Sequence, residues 1–135
     1  MSGCCSHASE LVVLYAEDDT LIRWSLAEDL RNAGFRVIEA ANAEEAIDII
    51  ASGAILHAVV TDINMPGEYD GREVAARAEK FLPHVPVIVT STALPKDCYV
   101  TVFVAKPVLA AHLISVLQKE IGERWDCKVQ RKSAF

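Results

Sequence analysis

The chain has 135 residues, 52% of them apolar, with 19 acidic against 13 basic side chains and a formal net charge of −6. That is the size of one domain, able to bury about two-thirds of the surface the unfolded chain exposes, and the acidic balance excludes a nucleic-acid surface, which needs clustered Lys and Arg. No apolar run approaches the roughly 20 residues of a membrane span, and residues 1–10 lack the basic start and apolar block of a secretory signal, so a cytoplasmic protein without membrane contact is expected.

Residues 11–16 are a short apolar run rich in β-branched side chains, stopping at Glu17-Asp18-Asp19 as a buried parallel strand would. From Thr20 the period changes. Ile22, Leu26, Leu30 and Ala33 recur every three to four residues before Gly34, which predicts an amphipathic helix capped by Asp19 or Thr20. Residues 35–40 alternate as a second strand, and Asn42 caps a helix carrying Ala46, Ile47 and Ile50 up to Gly53. Residues 55–61 read as a third buried strand that delivers Asp62, and Met65-Pro66-Gly67 must be a loop.

A helix from about Arg72 carries Val74, Ala75 and Ala78; Pro83 and Pro86 bracket a turn. Residues 87–89 form a fourth strand ending at Thr90-Ser91, and residues 102–105 a fifth ending at Lys106-Pro107. The last helix sets Leu109, Leu113, Val116, Leu117 and Ile121 on one face and fades near Gly122. Trp24 and Trp125 are assigned to packing, while His7, His57, His84 and His112 share no spacing and receive no chemistry. Cys4, Cys5, Cys98 and Cys127 form no Cys-x-x-Cys pair and are read as reduced, non-ligand thiols. Arg124, Lys128, Arg131 and Lys132 read as a solvated helix end.

Five βα repeats with right-handed crossovers predict an α/β fold, a flavodoxin-like (βα)5 doubly wound parallel sheet in the order 2-1-3-4-5. Residues 10–122 form the domain, with 1–9 a flexible N-terminal tail and 123–135 a short C-terminal tail. Such sheets bind ligands beyond the strands' carboxyl ends. Glu17, Asp18, Asp62, Thr90 and Lys106 therefore share one rim. Packed carboxylates repel one another, and a hard divalent cation with oxygen ligands, Mg²⁺, relieves the repulsion. A carboxylate can capture phosphorus as an acyl phosphate where a metal and positioned donors offset the charge. Lys106 supplies a second cation and Thr90 a hydroxyl, and the rest of phosphoryl transfer is positioning.

Over roughly residues 11–122 the chain resembles the receiver domain of two-component response regulators, the CheY-like superfamily. The motifs are Glu17-Asp18 as the acidic pair, Asp62 within Thr-Asp-Ile-Asn-Met-Pro as phosphoacceptor, Asp70-Gly71, Thr90-Ser91 as the switch hydroxyl, and Lys106-Pro107. The resemblance implies that Asp62 is phosphorylated by a histidine kinase or histidine phosphotransfer protein of a two-component or phosphorelay system. It implies Asp18, Asp62 and the Asn64 backbone carbonyl as direct Mg²⁺ ligands, with Glu17 acting through water. Lys106 would bind the phosphoryl group, Thr90 turn toward it, and Phe103 swing inward; the Lys106–Pro107 peptide would be cis. The protein would be a signalling phosphoacceptor that assists its own phosphorylation and dephosphorylation rather than an enzyme. It would be a monomer or weak homodimer, read out by a downstream protein target.

Two departures stand out. Asp62 and Gly71 are nine apart, one more than the family pattern, and the surplus falls within Gly67-Glu68-Tyr69. Thr90 and Lys106 are sixteen apart, several fewer than usual, so the helix between the fourth and fifth strands is short, distorted or absent. The residues after the last helix leave no room for an output domain, so a stand-alone receiver is expected. The rivals are a non-phosphorylated interaction module on this fold, an aspartyl-phosphate phosphatase, whose Asp-x-Asp motif after the first strand is missing, and a flavin carrier, whose phosphate an acidic triplet would repel.

Overall fold

A strand buried on both faces must be apolar at successive positions, because side chains alternate across the sheet. The five strands meet that condition in varying degree: β1 (Val12–Ala16), β2 (Arg36–Ala40), β3 (Ala58–Asp62), β4 (Val87–Ser91) and β5 (Val102–Ala105). The central β3 and β4 are buried at every residue, and the edge strands β2 and β5 are not. All pairings are parallel in the order β2-β1-β3-β4-β5, as predicted. This computed structural model describes residues 10–94, 96 and 98–133, with side chains as far as residue 122.

Four helices cover the sheet: α1 (Thr20–Asn32), α2 (Ala43–Ala51), α3 (Gly71–Phe81) and α4 (Ala110–Ser133). Val13 and Tyr15 of β1 face one core with Leu26 and Leu30 of α1 and Leu113 and Leu117 of α4. Leu14 and Ala16 face the other, with Ile47 and Ile50 of α2 and Val74 and Ala78 of α3. Caps set the helix starts. Asp19 Oδ1 accepts from the Ile22 N–H (3.0 Å), Asn42 Oδ1 from Glu45 (2.8 Å) and Asp70 Oδ1 from Arg72 (2.9 Å). No helix among the described residues is long and apolar enough to cross a membrane.

Several sequence expectations shift. The third strand begins at Ala58, not at residue 55, and Ile55 is 76% exposed. The ladder with β1 opens only where His57 donates its N–H to the Val12 carbonyl (2.7 Å) and accepts the Val12 N–H on Nδ1 (3.0 Å). On α1 the buried stripe is Leu26, Ala27 and Leu30; Ile22 and Ala33 are exposed, and Trp24, assigned to packing, is 58% exposed. Leu109 precedes the first turn of α4 and is 68% exposed, so the buried face of that helix starts at Leu113. Helix α4 does not stop near Gly122 but runs to Ser133. One interior glycine costs only about 1 kcal/mol relative to alanine, and helix-forming residues follow it.

Among the described residues between β4 and β5 there is no helix, in line with the short spacing there. Cys98, Tyr99 and Val100 instead pack onto the core beside α2 and α3, and Cys98 carries a free thiol. Residues 1–9 and the Trp125 side chain lie outside the described residues.

Candidate functional site

The carboxyl rim is built from backbone upward. The Glu17 N–H donates to the Ala40 carbonyl (3.1 Å), extending the β1–β2 ladder past the last strand residue, and so points Glu17 inward. Glu17 Oε2 then accepts from the Asp19 N–H (3.1 Å), which folds the acidic turn back on itself. Asp62 closes β3 beside Thr90, its strand partner on β4. The Lys106 N–H donates to the Ser91 carbonyl (2.8 Å), and this bond aims the lysine across the rim. Its Nζ lies 2.9 Å from Asp62 Oδ2 and 3.4 Å from Glu17 Oε1. The Lys106–Pro107 peptide is cis, as expected.

Glu17, Asp18 and Asp62 each offer a carboxylate oxygen, all within 4.8 Å of one another. Glu17 and Asp62 are buried, at 2% and 3% exposure, and Asp18 faces solvent. Burial raises the Glu17 carboxyl above its ordinary pKa, and the Asp62 charge adds to this; the Asp19 N–H and Lys106 only partly compensate. Burial alone would depress Lys106, yet its bond to Asp62 and the charges of Asp62 and Glu17 outweigh that and raise it. Three close carboxylates against one ammonium leave an uncompensated negative charge, and the donors are all oxygen. That set fits a hard divalent cation such as Mg²⁺, held by Glu17, Asp18 and Asp62.

The other expected positions are distributed as follows. Thr90 is buried on β4, and its carbonyl accepts from the Ile63 N–H (3.2 Å). Asn64 is exposed on the loop after β3, with its N–H on Asp62 Oδ1 (3.3 Å). Phe103 is half-buried in the middle of β5 opposite Val89, outside the carboxylate cluster. Gly71 lets α3 start against β3, since a Cβ there would run into the backbone of Asp62 and Ile63.

Sequence reasoning missed three residues around this rim. Arg23 donates from Nη1 to the Glu17 carbonyl (2.8 Å) and from Nε to Glu39 Oε1 (3.2 Å), tying α1 and β2 to the acidic turn. Tyr15 lies beneath the site, its hydroxyl pKa raised first by burial and then by Glu17 and Asp62. Glu44 of α2 bonds to the loop after β3. Arg23 and Glu44 fall on no apolar period, and their bonds to the rim loops, to the Glu17 carbonyl and to the Glu68 and Tyr69 N–H groups, are to backbone atoms, which sequence spacing does not encode.

A parallel sheet in 2-1-3-4-5 order with an acidic, lysine-bridged switch-point rim defines a flavodoxin-like α/β domain of the CheY type. Residues 13–124 match the family described as the response regulator receiver domain, and the chain belongs to that family. It is similar to the transcriptional regulatory protein PdtaR of Mycobacterium tuberculosis, 32% identical over 90% of this chain and 63% of that protein. It is also similar to the DNA-binding transcriptional regulator NtrC of a Bradyrhizobium strain, 31% identical over 82% of this chain and 24% of that protein. The chain thus spans less than two-thirds of the length of these curated relatives. Among solved structures, a response regulator receiver protein from Sinorhizobium medicae superposes with a TM-score of 0.77 at 27% identity, over 85% of this chain and 97% of that one. The receiver domain of the hybrid histidine kinase CckA gives 0.71 at 30% identity, over 82% and 98%.

Proposed function

We propose that this receiver domain, residues 10–122, takes a phosphoryl group on Asp62 from the phosphohistidine of a histidine kinase or histidine phosphotransfer protein, in the cytoplasm. The observation that carries the reading is the bond from Lys106 Nζ to Asp62 Oδ2 at 2.9 Å, inside a carboxylate trio whose oxygens lie within 4.8 Å. In the transfer an Asp62 oxygen forms a bond to phosphorus as the phosphorus–nitrogen bond breaks, and the imidazole leaves with the bonding pair. Lys106 needs no large movement to pair with the incoming phosphoryl oxygens, since it already spans Asp62 and Glu17. When bound, Mg²⁺ offsets the negative charge that phosphorus brings to the trio. Glu17, Asp18, Asp62 and the Asn64 carbonyl would hold it, with Glu17 acting through water.

Phosphoryl charge at Asp62 then draws the Thr90 hydroxyl, and Phe103 fills the space released, shifting a surface that a downstream protein reads. The domain assists its own phosphorylation and dephosphorylation, and it acts as a monomer or weak homodimer. The test is phosphotransfer profiling against histidine kinases and phosphotransfer proteins, with acetyl phosphate and Mg²⁺ as small-molecule control. The wild type gains one phosphoryl mass and Asp62→Asn gains none. Label retained by Asp62→Asn would move the acceptor elsewhere, and an unlabelled wild type would leave only a non-phosphorylated interaction module.

A further inference from the structure

The loop between β3 and α3 carries Asn64 and is one residue longer than the response-regulator pattern, with the surplus in Gly67-Glu68-Tyr69. A longer loop has more conformations to lose, and its extra N–H needs an acceptor if the loop is to keep one shape. Its ends are secured locally. The Asn64 N–H lies on Asp62 Oδ1 (3.3 Å), Met65 is buried in the core, Asp70 caps α3, and the Gly71 N–H donates to the Ile63 carbonyl (3.0 Å).

The middle is secured from another element. Glu44, in the first turn of α2, accepts on Oε2 from the backbone N–H of both Glu68 (3.0 Å) and Tyr69 (3.3 Å). The carboxylate lies flat against Gly67, where a Cβ would stand 3.0 Å from Oε2 and 3.1 Å from Oε1; the φ of +121° there independently calls for glycine. Hydrogen bonds from its own N–H and from Tyr69 and Glu68 hold the Glu44 carboxyl below its ordinary pKa, so it is ionised at neutral pH. Among the described residues no other hydrogen bond ties residues 66–69 to a different element, although Arg77 of α3 stands 5.7 Å from the Tyr69 ring.

We infer that Glu44 is a positioning residue for the cation site: its carboxylate clamps the enlarged loop that carries Asn64, whose carbonyl would serve the cation together with Glu17, Asp18 and Asp62 on the reading above. Glu44 lies outside the cluster of Glu17, Asp18 and Asp62. It is anchored on a helix, and it substitutes for the tightness that a shorter loop has from its length alone. The inference rests on the magnesium-dependent phosphoacceptor reading above.

The experiment measures Mg²⁺ affinity by calorimetry for the wild type, Glu44→Ala, Glu44→Gln and Glu68→Gln. Amide exchange at Glu68 and Tyr69 and melting in EDTA are followed alongside. Partners that orient ligands typically change metal affinity 10- to 100-fold, and Glu44 acts one step further out, so Glu44→Ala is expected to raise the Mg²⁺ Kd about threefold to tenfold. Glu44→Gln, which keeps an acceptor oxygen, raises it less. Exchange at Glu68 and Tyr69 speeds up in Glu44→Ala, Tm in EDTA stays within about 2 °C, and the phosphorylation rate with phosphoramidate recovers at saturating Mg²⁺. Unchanged Mg²⁺ affinity in Glu44→Ala overturns the inference. So does an equal weakening in Glu68→Gln, which removes a nearby charge and leaves the clamp intact. A wild-type chain that binds no Mg²⁺ overturns the phosphoacceptor reading and this inference together.

Discussion

Glu17 shows the conflict between stability and function most sharply at the scale of one residue. It is 2% exposed, and its ionised form is disfavoured by burial and by Asp62. A carboxyl whose folded pKa is raised supports the fold fully below the unfolded value of about 4.3, and that support is lost as pH rises through the folded value. Without metal, the wild type therefore loses stability on going from acid toward neutral pH at this group. Glu17→Gln removes the buried charge and is expected to gain on the order of 1 kcal/mol at pH 7 in EDTA, with a flatter pH profile and weaker Mg²⁺ binding. Urea titrations at several pH values check it; a variant less stable than the wild type in EDTA would show that the Lys106 pair outweighs the burial. The acidic pair was plain in the sequence because it follows an apolar strand. Strand order also placed Lys106, 89 positions away, on the same rim, but its direct bond to Glu17 and the backbone N–H two residues on were not legible.

The pattern that predicted α1 was right about the helix and wrong about part of its face. Period alone cannot say how wide the buried stripe is, and here the sheet covers only Leu26, Ala27 and Leu30. Leu21 and Ile22 are left with Leu26, Val108 and Leu109 around an open cleft of about 390 Å³, next to the turn that holds Asp18 and Asp19. On the phosphoacceptor reading proposed above, a protein phosphodonor that reaches Asp62 across this cleft would contact Leu21 and Leu109, whereas a small-molecule donor would not. The double substitution Leu21→Ser/Leu109→Ser should leave Tm within about 2 °C. It should slow transfer from the cognate histidine protein by about tenfold, as truncating interface anchors does, with phosphoramidate labelling unchanged. Equal loss with both donors would place the defect in the site. The same limit of local pattern explains Ile55, apolar yet 76% exposed because β3 pairs only from Ala58 onward.

For the whole molecule, a cation held at the acidic rim would couple folding to binding. The unfolded chain scatters Glu17, Asp18 and Asp62, so Mg²⁺ should bind the folded state alone and stabilise it by mass action, about 1.4 kcal/mol at ten times Kd. For a chain of this length that is a rise of about 5 °C in Tm, readable by thermal scans with and without Mg²⁺; it should vanish in Asp62→Asn. By itself, the sequence determined the strands and the helices that follow them, because alternation and caps are local properties, and the parallel order followed from the βα repeat and the rule of right-handed crossovers. It also determined which carboxylates end the strands, since each follows an apolar run directly. Only the tertiary structure decided that Lys106 bridges Asp62 and Glu17, that Arg23 and Glu44 brace the loops, and that Trp24 and Leu109 face outward. Those outcomes depend on side-chain reach and on cover from distant segments, and neither is written in the spacing of residues along one chain.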